Sequence, residues 1–180
     1  MWAVFVVLSD PSFGFFASAQ DARSYHGLDV ADPYVGRTSW GTVGAFPYSP
    51  AFAQLVWPLG LLPWPAFVAT WTALLIGCVA WLTGRRLLLV GLLVAAPEVM
   101  GGNISILLAV AIVVGFRWPA AWSFVLLTKI TPGVGLLWFA VRREWRPLAI
   151  ALLATAAIVA VSFAVSPGAW PRWIEVLSGN

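Results

Sequence analysis

Apolar and polar positions along this chain are segregated into long blocks rather than alternating over short distances. Between Thr38 and Gly84 there is no charged residue, and residues 99–116 and 147–171 are likewise uncharged. About 20 apolar residues make a helix that crosses the roughly 30 Å hydrocarbon layer of a bilayer, and bundled spans are often shorter. The blocks predict spans near residues 64–83, 87–99, 104–116 and 147–165. A fifth apolar stretch, 120–141, is interrupted by Lys129-Ile-Thr-Pro132. Proline removes a backbone donor, and an ammonium in lipid is costly unless it faces a cavity or an interface. The stretch is therefore one kinked span or two half-length helices meeting at the turn. At the N-terminus residues 2–8 are apolar, Asp10-Pro11 breaks the run and residues 12–19 resume it. Ala17-Ser18-Ala19 has the form of a signal-peptidase site, but no Lys or Arg precedes the run, so it reads as the end of a first membrane segment over 1–19.

Composition agrees with the pattern. Hydrophobic residues make up 61% of the 180 and charged residues 9%, against roughly 25% charged in soluble domains. So few charges cannot cover a water-facing surface, and disorder is excluded by the same figures. Cys78 is the only cysteine, which excludes a disulfide scaffold and reads as an inert packed thiol. The net charge of +3 comes from 10 basic and 7 acidic residues. The basic ones sit between apolar blocks, as membrane-protein loop charges do, and give no nucleic-acid patch. Positive-inside counting favours the hairpin: it puts Arg85, Arg86, Arg117, Arg142, Arg143 and Arg146 together on the cytoplasmic side. Residues 20–48, the Gly101-Gly102-Asn103 turn, residues 129–132 and the tail from 166 then face outward. Trp40, Trp57, Trp64, Trp118, Trp145, Trp170 and Trp173 fall near the proposed span ends, as an aromatic belt does.

Four of the seven acidic residues precede position 33. Asp21, Asp29 and Asp32 are interleaved with Tyr25, His26 and Tyr34, and Phe46-Pro-Tyr48-Ser-Pro50 follows. Carboxylates and tyrosines beside a membrane suit a polyhydroxylated ligand, and one carboxylate suits general-base work; the plainer reading is a solvated loop. His26 is the only histidine, and no paired His or Cys spacing supports a metal site. No phosphate-binding Gly-rich loop and no Gly-x-Ser-x-Gly elbow occurs. Glu98, between Pro97 and the Gly-Gly-Asn turn, is a functional candidate if it lies at membrane depth and a loop charge if it does not. Asn103 caps a helix starting at Ile104 or takes a ligand. Lys129, the only lysine, is a compact point charge suited to phosphate, or it snorkels to the head groups.

Taken in order, these pieces resemble glycosyltransferase family 87, a GT-C group of membrane enzymes that use polyprenyl-phosphate sugars. The matching pieces are Asp21-x-x-x-Tyr25, Asp32-Pro-Tyr34, Phe46-Pro-Tyr48-Ser-Pro50, Trp57-Pro-Leu59, Leu62-Pro63, Gly102-Asn103, Lys129-x-x-Pro132 and Arg142-Arg-Glu-Trp-Arg146. The resemblance covers residues ~20 to ~147, and the chain corresponds to the N-terminal half of such enzymes. It implies an all-α membrane protein, a GT-C-like bundle of about six helices, some short or re-entrant. Residues 20–50 form an extracytoplasmic loop, 51–165 the bundle and 166–180 a tail, all within one transmembrane domain. The implied reaction moves a mannose- or arabinose-like sugar from a polyprenyl-phosphate donor to a glycolipid or glycan acceptor, outside the plasma membrane and without a cofactor or metal. Asp21 is the implied base, and the spacing to Asp32 makes Asp29 the alternative. Tyr25, Asp32, Tyr34, Tyr48, Glu98, Asn103 and Lys129 are the implied donor and acceptor contacts, with Lys129 on the phosphate. A transporter or flippase fragment and a non-catalytic membrane subunit are the competing readings; neither repeat symmetry nor paired broken helices favour the first.

Overall fold

The computed structural model describes residues 19–37, 44–129 and 131–178. The first membrane segment, Trp40 and Asn180 lie outside these residues. Those described are helical, with no strand among them, and they divide into two compact units.

The first unit holds residues 19–28, 44–46 and 56–110. It contains α1 (Gln20–Tyr25), the end of α2 (Pro50–Gly60), α3 (Trp64–Val94), α4 (Ala96–Gly101) and the start of α5 (Ser105–Gly115). The first arm of α3 carries one buried stripe, Phe67, Val68, Trp71, Thr72, Leu75 and Val79, at helical spacing. At Gly84 the backbone takes φ 64 and ψ 175, a region open essentially to glycine alone. The chain reverses there. A continuous helix would carry residue 91 about 12 Å beyond residue 83, yet a Cβ added to Gly91 would collide with the Thr83 side chain. The block from 64 to 99 is thus a helical hairpin, its first arm about 30 Å long. The chain then packs back against the first arm at Gly102, whose carbonyl accepts the Trp71 indole N–H at 2.8 Å. Leu89, Leu93 and Val94 on the second arm are 72, 69 and 77% exposed. Apolar side chains so exposed over a continuous face are suited to lipid rather than to water.

The second unit holds residues 29–37, 47–55, 111–129 and 131–178. After the end of α5 come a 3₁₀ turn (Pro119–Ala121), α6 (Trp122–Thr128), a second 3₁₀ turn (Thr131–Gly135), α7 (Leu136–Val141), α8 (Trp145–Val165) and α9 (Ala169–Ser178). The chain also folds back at Lys129. Trp122, 1% exposed, fills the space left by Gly115 and Gly135, at either of which a Cβ would meet its indole. Phe116 and Phe139 pack edge-on to the same ring, with centroids 5.9 and 6.2 Å away. In an unbroken helix residues 122 and 135 would stand about 20 Å apart, so the 120–141 stretch is two short pieces rather than one span. The 21 residues of α8 bury only Ala151 and Ser162.

Among the described residues two elements contain a stretch long and apolar enough to cross a membrane, Trp64–Val94, through its first arm, and Trp145–Val165. The expected span 104–116 yields only the 11 residues of α5, about 16 Å of helix, too short to cross alone.

Candidate functional site

Three sequence candidates from different parts of the first unit meet at one cleft. It has a volume of about 50 Å³ and is lined by Gln20, Asp21, Pro97, Glu98, Gly101 and Asn103. Asp21 lies in the first turn of α1, where its charge complements the helix dipole. Asn103 is placed by the end of α4. There Gly102 adopts φ 72, the Gly102 N–H bonds Val99 O, and the Asn103 N–H bonds Glu98 O. This is a Schellman closure with Asn103 as the residue that completes it. A Cβ on Gly102 would come within 2.7 Å of Ala22 Cβ, so glycine also lets α1 approach.

Asn103 serves two helices. Its Oδ1 accepts the Ser105 N–H at 2.8 Å and the Ser105 hydroxyl at 2.6 Å, capping α5. A cap requires the carbonyl oxygen on that side, which fixes the amide orientation. Its Nδ2 therefore faces the other way and donates to Asp21 Oδ2 at 2.6 Å. The capping expected from the sequence is made by one end of this side chain, and the other end holds Asp21. Glu98 forms a further wall of the cleft, and its Oε2 is buried and accepts no hydrogen bond from any described residue.

Tyr25 does not line this cleft. It is fully buried with its ring 5.1 Å from Trp71, a core position. His26 is also a packing residue. Its Nε2 lies 2.8 Å from the Leu62 carbonyl, which makes it the protonated nitrogen, and its ring packs against Trp64 and Phe67.

The other candidates belong to the second unit. Asp29 is exposed and accepts the Ala31 N–H at 2.9 Å, closing a local turn. Both oxygens of Asp32 are engaged: Oδ1 accepts the Tyr34 N–H at 3.2 Å, and Oδ2 pairs with Arg172 of α9 at 2.6 Å. The buried Tyr34 donates its hydroxyl to Tyr48 O at 2.8 Å. Burial, then the Asp32 charge, pushes the Tyr34 phenol far above its ordinary pKa; burial lowers that of the Arg37 guanidinium. Tyr48 packs on Phe52. Lys129 directly follows α6, whose penultimate carbonyl, that of Leu127, accepts the Ser49 hydroxyl. Asp32, Tyr34 and Tyr48 thus form a structural network, and Asp21, Glu98 and Asn103 form the cleft.

With this geometry in view, comparison with known proteins is informative. The model of glycosyltransferase family 87 matches residues 46–180, about three-quarters of the chain. The chain belongs to glycosyltransferase family 87. No curated protein and no solved structure matches it. Membership implies a membrane glycosyltransferase acting on a sugar donor and an acceptor, and the two long apolar helices agree with a membrane location. Within the family match lie Tyr48, Glu98, Asn103 and Lys129, while Asp21, Tyr25, Asp29, Asp32 and Tyr34 precede it. The cleft of this family 87 chain therefore joins a matched asparagine to an aspartate outside the match. Sequence reasoning missed Gln20, which the position beside Asp21 could have signalled, and Arg172. Nothing local marks Arg172 as the partner of a residue 140 positions earlier.

Proposed function

We propose that this family 87 chain transfers a sugar from a polyprenyl-phosphate donor to a hydroxyl of a glycolipid or glycan acceptor, with Asp21 as general base. The observation that carries the reading is the Asp21 carboxylate held by Asn103 in a polar cleft of a strongly apolar molecule. Asn103 Nδ2 occupies Oδ2 of Asp21 and orients the carboxylate. The carboxylate then takes the proton of the acceptor hydroxyl as its oxygen attacks the anomeric carbon. The new bond is O–C1, the bond from C1 to the phosphate oxygen breaks, and the electron pair leaves on the phosphate. A single displacement of this kind inverts the anomeric centre. Charge growing on the phosphate calls for a cation, and Lys129 is the residue we assign to it.

The hairpin supports a reading of the side of the membrane. Its reversal carries Arg85 and Arg86, and the chain that follows its second arm supplies Pro97, Glu98, Gly101 and Asn103 to the cleft. Basic loops tend to stay in the cytoplasm, which supports our assignment of the cleft to the extracytoplasmic side of the plasma membrane.

Transfer of radiolabel from a polyprenyl-phosphate sugar in membranes containing the chain tests the reading. Asp21→Asn should reduce turnover by about 10²–10⁴-fold, the usual contribution of a positioned base, at unchanged expression, while Asp29→Asn is spared. Full activity in Asp21→Asn with loss in Asp29→Asn would move the base to Asp29. Absence of transfer by the wild type would favour a non-catalytic subunit.

A further inference from the structure

The loop Arg142-Arg-Glu-Trp-Arg146 takes no part in the cleft, which belongs to the first unit. It joins α7 to α8 through a Schellman closure. The Glu144 N–H bonds Phe139 O at 2.8 Å and the Arg143 N–H bonds Ala140 O at 3.0 Å, with Arg143 at φ 57. Glycine or asparagine usually fills that left-handed position, because an L side chain is strained there. The chain thus keeps a guanidinium at this turn against the preference of its backbone.

Charge around the loop is uncompensated. Glu144 is the only carboxylate between residues 111 and 174, and it is taken by Arg142 at 2.6 Å. Arg143 and Arg146 make no ion pair with any described residue. Arg117 and Trp118 reach the same end of the unit from α5. The ring of Phe116 stands 6.0 Å from that of Phe139, whose carbonyl closes the Arg143 turn. Arg117, Trp118, Arg143, Trp145 and Arg146 are all exposed.

An apolar groove begins beside this loop. Its volume is about 550 Å³, and Leu126, Val134, Leu137, Ala140, Leu148 and Leu152 are among its lining residues; ligand pockets run to roughly 300–1,000 Å³. Ala140 and Leu148 flank the loop in sequence on either side, so the groove ends where the guanidiniums begin. The loop also opens α8, the apolar helix that leaves all but Ala151 and Ser162 unburied. Arginine and tryptophan at the mouth of such a span lie at the level of the head groups, and the groove lies in the hydrocarbon.

We infer that the groove holds an acyl chain of an anionic phospholipid whose phosphodiester is bound by Arg143 and Arg146, with Arg117 beside them. A planar guanidinium pairs with two phosphate oxygens at once, and basic clusters at the end of a membrane helix attract anionic lipid. A free phosphate leaves the groove unused. A zwitterionic lipid brings its own cation to a site already in excess of positive charge.

The test titrates the full chain in detergent with phosphatidylglycerol and with phosphatidylcholine, counting bound lipid by native mass spectrometry. Phosphatidylglycerol should be retained preferentially. Arg146→Gln and Arg143→Gly should each weaken it by about fivefold, the weight of one basic residue at an anionic surface. Arg143→Gly should at the same time raise the unfolding temperature of the lipid-free protein, because the turn is relieved. An arginine with a purely structural role gives that stabilisation without the loss of lipid. Leu148→Trp, which fills the groove, should weaken phosphatidylglycerol with every arginine in place; Ala140→Leu serves if that protein does not accumulate. Equal retention of the two lipids, or unchanged affinity in both arginine variants, overturns the proposal. Unchanged affinity in the groove variant overturns it too, leaving surface attraction alone. Displacement of the lipid by inorganic phosphate at equal concentration would make the loop a simple anion site. Polyprenyl phosphate bound as tightly as phosphatidylglycerol, with the same losses in the variants, would give the groove to the sugar donor instead.

Discussion

Asn103→Asp changes one atom type and inverts the chemistry of the cleft. Aspartate caps a helix as well as asparagine does, so the Ser105 contacts of α5 survive. The face turned to Asp21 changes from an N–H donor at 2.6 Å to a second carboxylate oxygen. Losing a hydrogen bond to a charged group costs about 1.5–3 kcal/mol, which equals roughly 10- to 150-fold in rate if it positions the base. Repulsion adds to this. Two unit charges 2.6 Å apart interact by about 6 kcal/mol at an effective dielectric constant of 20, before solvent screening at this half-open cleft. Two carboxylates so close share a proton near neutral pH, and a protonated pair is a poor base. Turnover of Asn103→Asp should therefore fall by more than about 10²-fold at pH 7 and recover partly as pH rises. Asn103→Ser separates the terms, because serine caps the helix but does not reach Asp21. It should lose about tenfold to a hundredfold with the pH–rate profile unmoved. Radiolabel transfer measured across pH for the three proteins is the assay. Wild-type turnover and an unshifted profile in Asn103→Asp would refute both the role of Asn103 and the argument for Asp21.

The hairpin makes its own prediction. Gly91→Ala should destabilise the protein in detergent by about 1–3 kcal/mol, the range for overpacking, because the added methyl meets Thr83; Thr83→Ala should restore most of the loss, read as non-additive shifts in thermal unfolding. Tyr34 predicts a pH effect. With its folded phenol raised by burial and Asp32, its contribution to stability is full below about pH 10, the value for a free tyrosine, and is lost at higher pH as the unfolded chain ionises first. Tyr34→Phe should remove that part of the alkaline destabilisation, read from thermal unfolding across pH.

Much of the fold was legible because charge placement in a membrane chain is nearly a map of its turns. Gly84-Arg85-Arg86 marked the hairpin reversal, since glycine alone tolerates that backbone and the arginines would be costly in lipid. Lys129-Ile-Thr-Pro marked the second reversal for similar reasons. Helix length was less legible. Residues 104–116 are apolar throughout, and hydropathy says nothing about where α5 stops; the bulk of Trp122 against Gly115 and Gly135 helps to end it. At the site, Asp21, Glu98 and Asn103 each stood out as a polar residue beside apolar blocks. Their meeting was not readable, because 82 residues separate Asp21 from Asn103 and the hairpin alone closes that distance. Asp32 shows the converse. It looked like a ligand-binding carboxylate, and its partner, Arg172, looked like an ordinary tail charge.

The segment 29–37 depends on residues made long after it. Val30 O accepts the Ser166 hydroxyl, Asp32 pairs with Arg172, and Pro47 O accepts the Trp173 indole N–H. These ties span 126 to 140 positions. At a synthesis rate of about 5–20 residues per second, roughly 6–28 seconds pass between the loop leaving the ribosome and the arrival of α9. Throughout that interval the loop lacks the three ties that hold it in the finished unit, so its final conformation waits on the last helix of the unit and not on the first.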